Sequence, residues 1–342
     1  MKAVKYIFFL LLIAIIALAI YVAVQPNEFK VTRTRTIQAP AAIIYDNVSD
    51  FKNWEAWSSW AEKDPDMIIT LPEQTKGKGG SYSWEDKDGV GTMKIVDTKP
   101  NESIAQVMQF GEFPSSDVSW AFKQNADGST DVTWDIYGKD LPFGFKAFAA
   151  FMGGMEKQIG PEYERSLEKL DSIVVNSMKA YKVTVDGTTE YGGGFYMYKT
   201  TAATGANISQ VMAKQYGEIM GYMAKNSIVQ SGMPFTIYDD VASKDGNIIM
   251  SNAVPVKEKI EVAKESQVLC GYIPKTKALK VSLKGNYTNL PKAWEAAMAH
   301  IAKSGLKQSE TIKPFEIYTN DPGNVPNPAN WITEVYIPIE DN

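Results

Sequence analysis

The chain has almost none of the residues on which most catalytic and metal chemistry depends. Of 342 residues, one is cysteine, Cys270, and one is histidine, His300. A lone cysteine excludes an intramolecular disulfide framework and any cluster of thiolate ligands. A lone histidine excludes histidine-based zinc sites and any relay of two imidazoles. Basic residues are also too few for a phosphate backbone. Lys and Arg number 35 against 40 Asp and Glu, a net charge of −5, whereas nucleic-acid binders concentrate Lys and Arg on one face. No nucleic-acid partner, metal or cofactor is expected. The glycine runs fail as phosphate loops: Gly192-Gly193-Gly194 and Gly77-Lys78-Gly79-Gly80 lack the Lys-Ser/Thr that must follow, and the first reads better as a bend. No Gly-x-Ser-x-Gly elbow is present, and Cys270 has no histidine motif near it.

Present instead is one long uncharged run. Tyr6 to Val24 carries no charge, follows Lys2 and Lys5, and stops at Pro26-Asn27-Glu28. That length is close to the ~20 residues of a membrane-crossing helix. A cleaved signal peptide is the rival, and Ala17-Leu18-Ala19 imitates its small-x-small site, but the apolar run continues past it. Residues 1–28 are therefore expected to be a single-pass transmembrane anchor. Lys30, Arg33 and Arg35 blunt the positive-inside signal, yet a five-residue head is easily left in the cytoplasm. The body is expected outside it, in the periplasm.

Beyond the anchor the length suits two ordinary domains, and 44% apolar with 22% charged residues excludes wholesale disorder. The first, 29–175, opens with a Thr-rich strand from Phe29 to Ile37. Pro40 then opens a helix carrying Ile43, Ile44, Val48 and Phe51 on one side. Short strands follow over 67–71, 80–84, 91–96, 103–110, 117–124 and 130–137, with Asp88-Gly89 and Asp127-Gly128 as hairpin signals. A long helix closes the domain, with Phe151, Met155, Ile159, Tyr163, Leu167, Leu170 and Ile173 as its apolar stripe. Pro161 either kinks this helix or starts its second half. Trp54, Trp57 and Trp60 read as packing beneath a loop.

The second domain, 180–342, repeats itself. Pro234-Phe235-Thr236-Ile237-Tyr238 returns as Pro314-Phe315-Glu316-Ile317-Tyr318, and Ala253-Val254-Pro255-Val256 returns as Tyr336-Ile337-Pro338-Ile339. A helix precedes each copy, marked by Ile208, Val211, Met212, Ile219 and Met223 in one and by Leu290, Trp294, Ala297 and Ile301 in the other. The pattern predicts a duplicated β-α-β-β unit, with repeats at about 180–258 and 267–342, and a groove where the copies meet.

In this second domain, Lys280 to Tyr287, Ala293-Trp294-Glu295, Phe315 to Tyr318 and Thr333 to Pro338 together resemble the GyrI-like family, the effector-binding domain of many AraC- and MerR-type regulators. The resemblance implies the duplicated fold and a small-molecule ligand, often cationic or amphiphilic, gripped by aromatics and one acid. Glu334 stands at the position of that acid. Where the family often has His-x-Gly-Pro-Tyr, this chain has Leu283-Lys284-Gly285-Asn286-Tyr287. The first domain, through Arg35 to Pro40, Val48 to Phe51, Trp54-x-x-Trp57-x-x-Trp60 and Tyr163 to Leu170, resembles the SRPBCC superfamily of START-like and polyketide-cyclase-like proteins. That implies a helix-grip fold with a cavity between helix and sheet. The fold class expected is thus α+β throughout.

Strand parity supports Glu334. Val335, Ile337 and Ile339 point toward the helix-covered core, and Glu334 and Tyr336 the other way. Tyr287, Trp294, Tyr318 and Tyr336 are candidate aromatic walls for a cation, although Trp294 lies on the apolar helix stripe and also fits the core. The expected ligand-binding set is therefore Glu334, Tyr336, Tyr318, Tyr287 and Trp294. The function expected is a membrane-anchored small-molecule-binding protein. The alternative is a hydrolase of reactive small molecules with Glu334 as general acid or base. No helix-turn-helix precedes the second domain, which argues against a transcription regulator.

Overall fold

A computed structural model describes residues 2–240 and 247–340; Met1, the segment 241–246 and the last two residues lie outside it. The N-terminal run is one helix, α1 (Lys2–Ala23). Twenty of its residues, Val4–Ala23, are apolar enough to cross a membrane, and at 1.5 Å per residue they extend about 30 Å. The chain divides into two compact units, Met1–Ser177, which includes α1, and Met178–Asn342.

The first unit opens with β1 (Glu28–Ile37), then the short helices α2 (Ala41–Val48), α3 (Trp54–Trp57) and α4 (Ser59–Lys63). Next come β2 (Ile68–Thr70), β3 (Ser81–Asp86), β4 (Gly89–Lys99), β5 (Ser103–Phe110), β6 (Ser116–Gln124) and β7 (Thr130–Lys139). Two helices end it, α5 (Phe143–Met152) and α6 (Met155–Ser177). The strands form one sheet in the order β1-β7-β6-β5-β4-β3-β2, antiparallel throughout. The long apolar stripe expected as one helix is broken at Gly153 and Gly154, whose φ values of 85° and 91° favour glycine, so Phe151 belongs to α5. Pro161 lies inside α6 without ending it.

Helix α6 is held on the sheet by β1. Val31 and Ile37 on one face of β1 are buried, and the intervening Arg33 and Arg35 share that face by the two-residue period. Arg33 reaches Glu156 and Glu164, each at 2.5 Å, and Arg35 reaches Asp171 at 2.8 Å. Between helix and sheet lies a stack of rings. Trp134 of β7 stacks on Tyr163 of α6 at 3.7 Å between ring centres and on Trp120 of β6 at 4.2 Å. Trp54, Trp57 and Trp60 meet it edge-on. The three tryptophans expected beneath a loop therefore lie in the middle of this unit.

The second unit comprises β8 (Lys182–Tyr191), β9 (Gly194–Thr204), α7 (Ile208–Lys225), β10 (Phe235–Asp240) and β11 (Asn247–Val256). It continues with β12 (Leu269–Ile273), β13 (Thr276–Lys284), α8 (Leu290–Ser304), β14 (Phe315–Tyr318) and β15 (Ile332–Pro338). Each helix is preceded by two strands rather than one. The sheet order, β12-β9-β11-β10-β14-β15-β13-β8, reads the same from either end once β8 to β11 are exchanged for β12 to β15. The repeated sequence motifs meet at its centre, with Phe235 opposite Ile317 and Thr236 opposite Glu316.

That order dictates strong curvature. β8 and β9 stand six strand spacings apart, about 29 Å in a flat sheet, yet only Gly192 and Gly193 join them. Two linking residues span at most about 11 Å, so the sheet bends until its two edges approach where these strands are joined; the two-residue link from β12 to β13 draws in the same end of the strands. The inside of the bend faces away from the helices. It is filled by Phe235, Ile237, Ala253, Ile273, Ala278, Phe315 and Tyr336, with Tyr191, Tyr196 and Tyr198 packed alongside. The outer face carries α7 over Met197 and Val254 and α8 over Leu279, Val281, Leu283, Val335 and Ile337.

The two links pass within contact of each other at Gly193. Its φ is +73°, and a Cβ there would lie 2.4 Å from the Ile273 carbonyl oxygen and 2.7 Å from the Lys275 nitrogen. The nearest neighbours are backbone atoms of the other link, so no side chain there can swing away. Gly193→Ala should therefore destabilise the second unit by about 2–5 kcal/mol, from a left-handed conformation costing ~1–2 and overpacking costing ~1–3. Gly192→Ala, with open space around it, should be nearly neutral in the same denaturation experiment. Equal effects from both would show that the crossing is not tight.

Candidate functional site

The helices α7 and α8 cover the outer strands of the second unit, leaving the central pair β10 and β14 between them. The outward-facing side chains of that pair are Thr236, Tyr238, Glu316 and Tyr318. Glu316 is 1% exposed. Its Oε1 accepts from Trp294 Nε1 of α8 at 2.5 Å, and its Oε2 accepts from the hydroxyls of Tyr238 at 2.8 Å and Tyr318 at 2.9 Å. These donors are all neutral. Among the described residues no Lys, Arg or His forms an ion pair with Glu316. Burial pushes its carboxyl above the ordinary value, and the three hydrogen bonds only partly oppose that shift.

A polar chain continues across the pseudo-symmetric centre. Tyr216 and Tyr318 both meet the Thr236 hydroxyl, Thr236 donates to Asn252, and Asn252 donates to Gln215 of α7. Tyr287, half-buried in the short turn before α8, packs on Tyr318 and Trp331. Its phenol is pushed up to about 12 by burial, with the Asp321 and Glu316 charges adding to the shift. The arrangement is an acid enclosed by phenols and indole, with the half-buried Trp294 and Tyr287 beside it.

Three of the five residues singled out in the sequence, Tyr318, Trp294 and Tyr287, thus gather around Glu316. Glu334 and Tyr336 lie on the opposite face, inside the bend. Tyr336 stacks on Phe315 at 5.1 Å and donates to Glu334 Oε2 at 2.8 Å. Glu334 also pairs with Lys280 at 2.6 Å, and its side chain is 20% exposed. Its charge is already matched. The face away from the helices is packed where the short links draw the sheet's edges together, while toward the other end of the strands the same face carries the exposed Thr200, Ala202 and Ile249.

In the first unit, the space between α6 and the sheet is occupied by the tryptophan stack. Its polar atoms are incompletely paired: Trp57 Nε1, Trp134 Nε1 and Gln106 Nε2 are buried and find no hydrogen-bond partner among the described residues, while Gln106 Oε1 accepts from Trp120 Nε1 at 3.2 Å. Such donors suit an acceptor atom on a small guest or a water molecule. The surface of this unit has a depression of about 450 Å³ lined by Asp50, Lys52, Glu73, Gln74, Thr75 and Lys76, without an aromatic wall. Among the described residues no three His, Cys, Asp or Glu side chains cluster as metal ligands would.

Residues 28–174 match the family described as polyketide cyclase / dehydrase and lipid transport, and residues 195–340 match the GyrI-like small molecule binding domain. The chain carries an N-terminal SRPBCC/polyketide-cyclase-like domain followed by a GyrI-like domain. Among solved structures, the C-terminal domain of EcmrR is 19% identical, over 47% of this chain and 99% of its own, with a TM-score of 0.39. A Chromobacterium violaceum protein is 16% identical, over 44% of this chain and 98% of its own, with a TM-score of 0.32. SAV2435, solved with tetraphenylphosphonium bound, is 11% identical, over 47% of this chain and 93% of its own, with a TM-score of 0.33. No curated protein matches the chain. Within the GyrI-like domain the Glu316 cluster is the most deeply enclosed acid-and-aromatic constellation described above. The polyketide-cyclase-like domain contributes the tryptophan stack and its unpaired donors.

Proposed function

We propose that the chain is a membrane-anchored receptor for small amphiphilic organic cations, bound in the GyrI-like domain with Glu316 as the counter-charge. One observation carries the reading: a buried carboxylate surrounded by three neutral donors and no basic side chain among the described residues. A charge enclosed in this way strongly favours an opposite charge delivered by a ligand, and the phenol and indole rings give that ligand a dry wall. Trp294 and Tyr287, half-buried beside the acid, are the side chains a ligand would displace. The symmetric strand order supports reading the domain as two copies of one unit, with the site at their junction and Thr236 as the counterpart of Glu316 in the other copy. The hydrolase reading, with Glu334 as acid or base, has less support, since Lys280 and Tyr336 already occupy that carboxylate.

The helix α1 would tether both domains to a bilayer. As part of the same proposal the domains lie outside the cytoplasm, with Lys2 and Lys5 on the cytoplasmic side of the span. A helix-grip reading of the first domain rests on α6 lying across its sheet, and the unpaired Trp57, Trp134 and Gln106 donors support a second, acceptor-bearing guest there.

Calorimetric titration of the full chain in lipid nanodiscs tests the main proposal. A lipophilic quaternary ammonium ligand should bind at least about tenfold more tightly than its neutral carbon isostere, about 1.4 kcal/mol. Equal affinity would mean that the site selects shape alone, and the cation reading would be abandoned.

A further inference from the structure

We propose that α5 is a second membrane-contact element, an interfacial helix lying in the same bilayer that α1 would cross. The inference rests on the reading of α1 as a membrane span. Helix α5, Phe143–Met152, is apolar along its whole length apart from Lys146. Only Phe145 is turned inward, stacking on Phe29 at 5.8 Å and meeting Phe113 edge-on at 5.1 Å. The rest of its large side chains face out. Phe148 is 47% exposed, Phe151 66% and Met152 45%, and their spacing puts them on one side of the helix; Phe143, in the first turn, is 54% exposed. A ten-residue helix that shows three phenylalanines and a methionine to water is unusual for a soluble surface.

What covers this face follows from its neighbour. Helix α5 packs against α1. The turn leading into it is tied to the residues just beyond α1, with the Leu141 N–H donating to the Asn27 carbonyl at 3.2 Å. Along α1 the large side chains from Val4 to Tyr21 are exposed, while Val22, near its end, is 2% exposed. The exposed face of α5 is therefore continuous with the apolar wall of α1, at the end of the span where the folded body begins. A bilayer enclosing α1 would reach its headgroup boundary there. Short helices with bulky apolar side chains bury about 5–10 Å into that boundary. No equivalent face is needed on a domain held at a distance by a flexible tether. The second contact would fix the first domain against the membrane instead of letting it swing about Pro26.

The test uses the full chain in nanodiscs, with Cys270→Ser as background and a single cysteine carrying an environment-sensitive fluorophore. Three positions are compared: Ala14→Cys in the middle of α1, Phe151→Cys on α5, and Ala126→Cys. The last is an exposed position in the turn between β6 and β7, at the far end of β7 from α5. Brominated acyl chains should quench the labels at 14 and 151 and leave the label at 126 untouched. Quenching at 14 with none at 151 overturns the α5 proposal and leaves the anchor intact. Absence of quenching at 14 overturns the anchor itself. Quenching at 126 as strong as at 151 would show that α5 lies no nearer the bilayer than the far turn, and overturns the proposal as well.

Discussion

Glu316→Gln should weaken binding of a lipophilic cation by about thirtyfold or more while leaving a neutral isostere within about twofold. Removing one member of a buried charge pair typically costs ~2–5 kcal/mol, and ~1.4 kcal/mol is tenfold in affinity. Gln keeps the shape of the side chain, so the loss would report the charge. The dependence on pH provides a second reading of the same residue. Burial raises the Glu316 carboxyl above its ordinary value of 4.5, so the wild-type protein should begin to lose cation affinity as pH falls at values where an exposed glutamate would still be ionised. The variant should show no such loss. The effect on stability runs the other way. A carboxyl whose pKa is raised by folding stabilises the folded state fully below the unfolded value, and that contribution disappears as pH rises through the folded one. Mild acid should therefore steady the GyrI-like domain slightly and empty its site, with both trends absent in Glu316→Gln. A cation affinity that stays flat with pH in the wild type would remove Glu316 from the binding reaction.

The elements were legible in the sequence where one signal dominated. Alternation and turn residues located the strands of the first domain to within a few residues, and threefold and fourfold spacing located α7 and α8. The repeat of Pro-Phe-x-Ile-Tyr located the two strands that meet at the centre of the second sheet. The same signals picked out the candidate aromatics, which the structure divides between the two sides of the sheet: Tyr318, Trp294 and Tyr287 around Glu316, and Tyr336 with Glu334 on the other. Parity correctly put Glu334 and Tyr336 on the side away from the helices. The curvature of that side is not legible, because nothing in the sequence says that β8 and β12 each pair at the far edge, and it is that exchange which bends the sheet. The acid that the helices leave between them was visible in the repeat itself. Glu316 stands where the other copy has Thr236, at the centre of an otherwise apolar motif and in phase with Tyr318. An acid substituted into one copy of an apolar repeat is a signal of its own. Taken alone, however, an internal strand position reads as core. The break between α5 and α6 was missed for a different reason, since the apolar stripe continues across Gly153-Gly154 although the helix does not.

Trp134→Ala should be the most damaging single change in the first domain, at about 3–5 kcal/mol, the usual cost of removing a buried tryptophan side chain. Against a typical domain stability of ~5–15 kcal/mol this is a large share. The ring is 2% exposed and lies between Trp120 on the sheet and Tyr163 on α6, so its loss leaves a cavity where the long helix meets the strands. At ~2–4 °C per kcal/mol for a domain of this size, its thermal transition should fall by roughly 10 °C, with loss of the near-ultraviolet dichroism of the stacked rings. The GyrI-like domain, with its own core, should melt where it did. Trp134→Phe separates packing from hydrogen bonding. It keeps an aromatic face toward Tyr163 and Trp120 and deletes the unpaired Nε1 donor, whose burial costs ~1–3 kcal/mol when nothing accepts from it. The smaller ring and the deleted penalty then offset each other, and the Phe variant should lie within about 1 kcal/mol of wild type. A Phe variant nearly as unstable as Ala would show that this N–H is satisfied in solution, which would direct attention to what accepts from it inside the tryptophan stack.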